Sequence, residues 1–329
     1  MTDRAPALVS AAASQRAEAR ADRNWALADR LKGEIEAAGW RVVDQGPDYR
    51  LEQLPVDVEL GGEIRYGRSD AVPSRLDAPA TGVATVVLVA TPNPAESRRA
   101  VDFLIAKMPD GVDVVVVADG LPDRALEGVR ASDLAAQAAG PTFELVRTSA
   151  ALGRAAALNI GIRRARGAVV VAIDPRVIPT GDVIGPLVAA LEDQTVAIAG
   201  AVGLASADLR HFRAMAAPTH GPIDAAAISA TLLAFRRADA AERGPLDEGF
   251  RSPAYLDAWW SLVLRDEGEG ARPRRALAIP GLPLDVAQAL ASALPPDAAD
   301  RLAKRNAYRL LDRFRARLDL AVPDSPPGA

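Results

Sequence analysis

Apolar runs and amphipathic stretches alternate through the middle of the chain, and their spacing predicts its elements. The run VATVVLVA from Val83 breaks into a polar, proline-containing turn that ends at Asn93. Helical spacing follows from Glu96 to Met108, with Val101, Leu104, Ile105 and Met108 on one side. A second apolar run, VDVVVVA, ends at Asp119. Leu121 to Gly140 reads as helical, and FELVRT as a third strand. The stretch LGRAAALNIGIRRARGAVVVAIDPRV, from Leu152 to Val177, then carries Ala155, Leu158, Ile162 and Ala165 on one helical face, stops at Gly167, and delivers the run Ala168 to Ile173 ending on Asp174. Near-continuous apolar strands separated by helices predict an α/β fold, a mostly parallel sheet covered by helices on both faces. Open sheets of this kind place ligands at the carboxyl edge, and Asn93, Asp119 and Asp174 all fall at strand ends.

The flanking regions read differently. Residues 8–38 have one continuous helical pattern, in which Trp25, Ala28, Leu31 and Ile35 recur, and Gly39 offers a cap. WRVVDQGPDYRLEQ then reads as a hairpin. This module, residues 1–52, has little core of its own. Residues 53–80 read as a linker in which DVEL and EIRY form short strands. The main domain spans 81–284. In it a helix is expected over Gly181 to Glu192, a strand in TVAIAGAVGL, an irregular tract from Ser206 to Asp224 holding His211 and His220, a strand in AAISATLLAFRR, and a helix from Tyr255 to Leu264 with Trp259, Trp260 and Leu264 inward. Helices are expected over 285–320 and a disordered tail over 321–329.

Composition narrows the chemistry. With 39 Lys and Arg against 43 Asp and Glu, no global field recruits nucleic acid or an acidic membrane. The absence of cysteine excludes disulfides, thiolate metal sites and a cysteine nucleophile, and two histidines exclude a multi-histidine metal centre. Neither a signal peptide nor a long apolar span is apparent, so a cytoplasmic protein is expected.

Two resemblances sharpen these readings. The segment RAEARADRNWALADRLKGEIEAAGWRVVDQGPDYRLE, roughly residues 12–52, resembles the small C-terminal domain of bacterial cysteinyl-tRNA synthetases, through its arginine-rich lead, Trp25, the AD at Ala28 and Asp29, the turn at Gly39 and Trp40, and the VVD before the hairpin turn. Acidic residues interrupt its basic clusters, which disfavours nucleic acid and leaves a module that packs or forms a homodimer. From about residue 83 to 280 the chain resembles the family 2, GT-A-fold glycosyltransferases. The series comprises VVLVATPN, VVVVADG, LGRAAALNIGIRRARG with Gly153, Asn159, Gly161 and Gly167, AIDPR at the place of the metal-binding DxD, and LLAFRRADAAERGPLDEGF.

That resemblance implies inverting transfer of a hexose from a nucleotide-diphospho-sugar to an unidentified acceptor. It implies nucleotide contacts from Asn93, Asp119 and Asn159, and a general base at Asp257, beside which Leu256 replaces the family's glutamate. The leaving diphosphate is usually met by Mg²⁺ or Mn²⁺ held by carboxylates. Here Asp174 is the one remaining ligand, because Arg176 stands at the second position. A cation there repels a divalent ion. Two readings follow: a metal-independent transferase in which Arg176, with Arg274 or Arg275, forks onto the diphosphate, or a catalytically inactive nucleotide-sugar-binding or scaffolding protein in which Asp174 and Arg176 form a structural ion pair. Asp247 and Glu248 either orient the acceptor or cap a turn. The arginine-rich helix at 304–317 allows at most peripheral membrane contact.

Overall fold

The computed structural model describes residues 5–45, 48–130, 142–216, 221–250, 252–286 and 296–324. The chain divides into two compact units, Met1–Arg68 and Ser69–Ala329.

In the first unit, the expected single helix is two, α1 (Ala7–Ala21) and α2 (Trp25–Ala37). The break falls where Arg23 adopts φ 56° and the Asn24 side chain caps the new helix by accepting from the Leu27 amide at 3.2 Å. Periodicity alone is blind to such a break, because both helices keep the same apolar repeat. Val9, Ala13, Ile35 and Trp40 form the core. Trp25 is 58% exposed, contrary to its expected place in the apolar stripe. The hairpin β1 (Trp40–Gln45) and β2 (Asp48–Gln53) is present, and Arg16 forks onto Asp44 at 2.8 and 3.1 Å, tying it to α1. A second hairpin, β3 (Val58–Leu60) and β4 (Glu63–Tyr66), belongs to this unit, which therefore extends beyond residue 52.

The second unit opens with a segment that is strapped down rather than a linker. Arg163, Arg164 and Arg237 donate to the carbonyls of Asp70, Val72, Pro73, Arg75 and Ala78 at 2.5–3.1 Å. Its elements follow in chain order: β5 (Gly82–Val89), α3 (Pro94–Lys107), β6 (Val112–Ala118), β7 (Phe143–Thr148), α4 (Arg154–Arg164), β8 (Gly167–Ile173), β9 (Val177–Pro179), α5 (Ile184–Ala190), β10 (Val196–Gly200), β11 (Gly203–Ala205), β12 (Arg213–Ala214), β13 (Ile223–Ala225), β14 (Ala227–Ile228), β15 (Leu232–Arg236), α6 (Arg237–Arg243), α7 (Leu256–Arg265), β16 (Arg275–Ala278), β17 (Leu284–Val286) and α8 (Pro296–Phe314). Of the helix expected over Leu121 to Gly140, the described part is a 3₁₀ turn at Asp123–Leu126; residues 131–141 lie outside the described residues.

The main sheet of this unit runs β13-β16-β10-β15-β8-β5-β6-β7. The pairs β5·β6, β5·β8, β6·β7 and β10·β16 are parallel, while β15 runs antiparallel between β8 and β10. One face packs Val101, Leu104, Leu126, Ile184 and Leu187. The other packs Ile162, Phe235, Trp259, Trp260, Leu310 and Phe314, so α8 is part of this core. Helix α4 lies so close to β5 that a Cβ at Gly161 would collide with the Val87 side chain, which explains the glycine. The expected tail is partly ordered: Val322 and Ser206 exchange backbone hydrogen bonds of 2.8 and 2.9 Å. Residues 325–329 lie outside the described residues.

Candidate functional site

The carboxyl edge of the parallel strands is assembled around the turn that precedes α4. Asp119, one residue past β6, accepts from the amides of Leu152 and Gly153 at 2.7 and 2.8 Å and from the Thr148 hydroxyl at 3.0 Å. These bonds occupy both carboxylate oxygens and fix the turn. Gly153 completes it at φ 104°, a conformation that favours glycine, and the next residue, Arg154, begins the helix.

Arg154 is not among the residues that the sequence analysis singles out. Among the described residues it makes no hydrogen bond and no ion pair. Burial lowers its affinity for a proton, Asp174 and Asp257 favour its charge, and Arg176 opposes it. It therefore lies within electrostatic reach of all three. The signal that could have found it was its position, directly after the glycine that closes a strand-edge turn.

Asp174 is buried, and Arg176 closes onto it: Nε donates to Oδ1 and Nη2 to Oδ2, both at 2.9 Å, and the Arg176 amide adds a 2.9 Å bond to Oδ1. Burial pushes the Asp174 carboxyl up, but the bonds from Arg176 and the charges of Arg154 and Arg176 outweigh it and hold the group below the usual carboxylate range. Arg176 is correspondingly held above its ordinary value, chiefly by its hydrogen bonds to Asp174, and Glu96 in the first turn of α3 adds negative charge nearby.

These residues do not fit a divalent cation. Both oxygens of Asp174 face a guanidinium, and among the described residues no group of three or more His, Cys, Asp or Glu side chains could hold a metal ion. The expectation of weak Mg²⁺ or Mn²⁺ binding through Asp174 is thus at odds with the donor set.

Asp257 sits in the first turn of α7, after Tyr255, whose φ is 64°. Its Oδ2 accepts from the Ala230 amide at 3.1 Å and its Oδ1 from the Ala258 amide at 2.8 Å. Burial pushes this carboxyl up, against the pull of those amides and of Arg154. The neighbouring residue Thr231 accepts from the Asp174 amide at 3.1 Å. Adjacent residues of one turn therefore hold Asp174 and Asp257, and this places the two aspartates in one locality. A narrow, mostly apolar cavity of about 30 Å³ adjoins Asp257, lined also by Arg154, Leu158, Phe235, Leu256 and Trp260.

Other expected site residues do structural work. The Asn93 side chain caps α3, accepting from Ala95 at 3.1 Å and donating to Glu96 at 3.1 Å. Asn159 is buried and saturated: Nδ2 donates to the Leu246 carbonyl and to Glu248, each at 2.9 Å, while Oδ1 accepts from the Leu246 amide at 2.8 Å. It clamps the turn at 246–248. Asp247 pairs with Arg309 and accepts from the Gly249 amide, so it also serves the turn.

Arg274 and Arg275 do not join Arg176. Strand register sets Arg275 beside Val196 at the start of β10, whereas Asp174 follows the end of β8, so the two lie at opposite sheet edges. A larger cavity of about 750 Å³ at that remote edge is lined by ion pairs among Arg243, Arg274, Asp239 and Glu267. Trp259 lies away from the site, packed on Phe250 with ring centroids 5.5 Å apart and under Arg313. His211 is an exposed partner of Asp208 at 2.8 Å, and His220 lies outside the described residues.

The family model described as Glycosyl transferase family 2 matches residues 85–237. Among solved structures, the chain is similar to GalNAc-T7 bound to UDP, GalNAc and Mn²⁺, with a TM-score of 0.56 and 15% identity over 72% of this chain. That match spans 49% of the GalNAc-T7 chain, about half its length. It is also similar to a mannosyltransferase from Pyrobaculum calidifontis in complex with GDP-Man and Mn²⁺, with a TM-score of 0.50, 17% identity and coverage of 75% of this chain and 78% of that one. No curated protein matches. The α/β fold, a large sheet flanked by helices, is that of the GT-A glycosyltransferases. Among the described residues no helix is long and apolar enough to cross a membrane.

Proposed function

We propose that this chain transfers a hexose from a nucleotide-diphospho-sugar to an acceptor hydroxyl, with inversion and without a divalent ion at Asp174. The observation that carries this reading is the turn at 230–231, which binds Asp174 on one side and Asp257 on the other and so joins the half that holds a donor to the half that holds an acceptor. The structurally similar proteins, captured with UDP or GDP-Man, support a nucleotide-sugar as the donor class.

In this reading the acceptor oxygen attacks the anomeric carbon as its proton passes to Asp257. The bond from that carbon to the β-phosphate oxygen breaks with its electron pair on the oxygen. The products are the glycoside, the nucleoside diphosphate and a protonated Asp257. A desolvated carboxylate with a raised proton affinity is a better base than one in water. At the diphosphate, the bond along the Nε–Nη2 edge of Arg176 leaves its Nη1–Nη2 end free to donate, so the ion pair with Asp174 orients the guanidinium without consuming it. Asp119 fixes the turn beside the nucleotide.

A second reading, a nucleotide-sugar-binding protein without turnover, is favoured by Leu256, a buried apolar residue where the resemblance implies an acidic one. Donor hydrolysis separates the two readings. With UDP- and GDP-hexoses and water as acceptor, the transferase reading expects hexose release by the natural protein and its loss in Asp257→Asn. Tight donor binding with no release by either protein would establish the second.

A further inference from the structure

We infer that the cavity of about 750 Å³ at the start of β10 and β16 is a second binding site, built for a phosphate monoester that carries hydroxyl groups, with Arg243 and Arg272 as its anion receptors. This inference is independent of the transferase reading.

The place is set by strand register. Val196 opens β10 beside Arg275, the first residue of β16, and the Arg275 amide donates to the Thr195 carbonyl at 2.7 Å. Helix α6 contributes Asp239, Glu242 and Arg243 to the lining, and the loop between α7 and β16 contributes Glu267, Arg272 and Arg274. Arg236, which binds Asp239, pairs with Val169 at the start of β8, whereas Asp174 follows the end of that strand. The cavity and the transfer site therefore lie at different edges of the sheet.

The ion pairs of this lining do not balance. Asp239 Oδ2 is shared by Arg236 at 3.2 Å and Arg274 at 2.9 Å, and Glu267 Oε1 is shared by Arg274 and Arg243 at 2.6 Å each. Three guanidiniums are thus strung on two carboxylates, which leaves one positive charge in excess. The row is largely withdrawn from water, since the side chains of Arg236, Arg274 and Arg243 are 13, 16 and 19% exposed. Excess charge in such a place favours an anion beside it.

The donors show where that anion binds. Arg274 is spent within the row, because Nη1 reaches Asp239, Nε reaches Glu267, and Nη2 donates to the Leu264 carbonyl at 2.9 Å. Arg243 gives Nη2 to Glu267, and its Nη1 has no partner among the described residues. Arg272 makes no hydrogen bond or ion pair among the described residues, so all five of its donors are open. Arg275, at the margin, is matched by Asp224 at 2.7 Å and Asp193 at 3.7 Å. Against the open donors of Arg243 and Arg272 stands one uncommitted carboxylate of the lining, Glu242.

This pattern selects the ligand class. Arg243 and Arg272 belong to different elements, and the three terminal oxygens of a phosphate accept from both at once, while a carboxylate offers two oxygens in one plane. The volume lies in the range of about 300–1,000 Å³ that holds a whole small molecule, so the organic part of an ester has room. Glu242 and Gln194, which also line the cavity, offer acceptors to its hydroxyl groups.

Calorimetric titration of the full chain with glycerol 3-phosphate, inorganic phosphate and succinate, in EDTA, tests this. The expected result is binding of glycerol 3-phosphate, tighter than that of inorganic phosphate or succinate, and weakened at least tenfold in both Arg272→Gln and Arg243→Gln. Arg272 is exposed and has no partner to lose, so its variant carries the test if Arg243→Gln does not fold. Glycerol 3-phosphate affinity that is the same in the natural protein and in Arg272→Gln places the anion elsewhere and overturns the inference. Failure of the natural protein to bind any of the three compounds at millimolar concentration also overturns it. Inorganic phosphate or succinate that binds as tightly as the ester overturns the assignment of the ligand.

Discussion

Arg176 closes on Asp174 through two side-chain bonds of equal length, 2.9 Å each, where the GT-A pattern implies two carboxylates around a metal. The substitution changes the kind of site more than its location. The aspartate still ends β8 and still faces the turn that orders Asp257. What occupies its oxygens is a fixed cation supplied by the chain.

Arg176→Asp should therefore convert the site. It restores a second carboxylate two residues from Asp174, frees both oxygens of Asp174, and removes the cation that repels a divalent ion. Titration with Mn²⁺ should show binding by the variant at concentrations where the natural protein shows none. Indistinguishable Mn²⁺ titrations would contradict the account of why the present residues reject a metal.

Asp174→Asn should destabilise the fold by roughly 1–3 kcal/mol, since it leaves a partly buried guanidinium without its charged partner. The pH dependence has a definite sign. Asp174 is held below its ordinary range, so its contribution is complete above about pH 4 and is lost as pH falls through the folded-state value. Chemical denaturation from pH 7 down to pH 3 should show the natural protein converging on the variant at the acid end. A stability gap that widens with acid would refute this assignment.

Asn159→Ala should lower the melting temperature while leaving nucleotide affinity unaltered. The variant unpairs the amide and carbonyl of Leu246 and one acceptor of Glu248, and each group left buried without a partner costs roughly 1–3 kcal/mol. A selective loss of nucleotide binding in a protein of unchanged stability would restore Asn159 to the ligand site.

The contrast between Asn159 and Arg154 shows what the sequence could and could not reveal. Apolar runs ending in Asp119 and Asp174 fix the parallel core and its functional edge, because a fully buried strand tolerates few polar positions. Gly161 enters only through the resemblance and Gly167 as a helix stop; the fold gives both a further reason, since helix α4 and strand β8 approach β5 too closely for a side chain. Other features depend on long-range geometry. The parallel pairing of β16 with β10 sets Arg275 at the far edge, and no local pattern encodes that pairing. A polar residue inside a helix can reach a ligand or a backbone turn with equal ease, and in the fold the Asn159 side chain is spent on the turn at 246–248. Arg154 was overlooked because its isolation from partners is a property of the folded site. The split between α1 and α2 was hidden by an apolar repeat that continues through it.

The acid limb of donor hydrolysis should lie above the ordinary aspartate value of about 3.9, because burial raises Asp257 and the base must be ionised. Rate falls as pH drops through that raised value. Arg154→Gln removes a charge that favours the carboxylate, so its limb should move to still higher pH. A limb that stays in place, measured over pH 4 to 8 at saturating donor, would mean that Arg154 and Asp257 do not communicate.

The most direct test of the central claim is single-turnover release of hexose from UDP- and GDP-hexoses by the natural protein and by Asp257→Asn, in EDTA. The account predicts metal-free release from one donor, a drop of at least a hundredfold in the variant, and donor affinity unchanged between the two. Release that requires Mn²⁺, or that proceeds equally well without the Asp257 carboxylate, would contradict it.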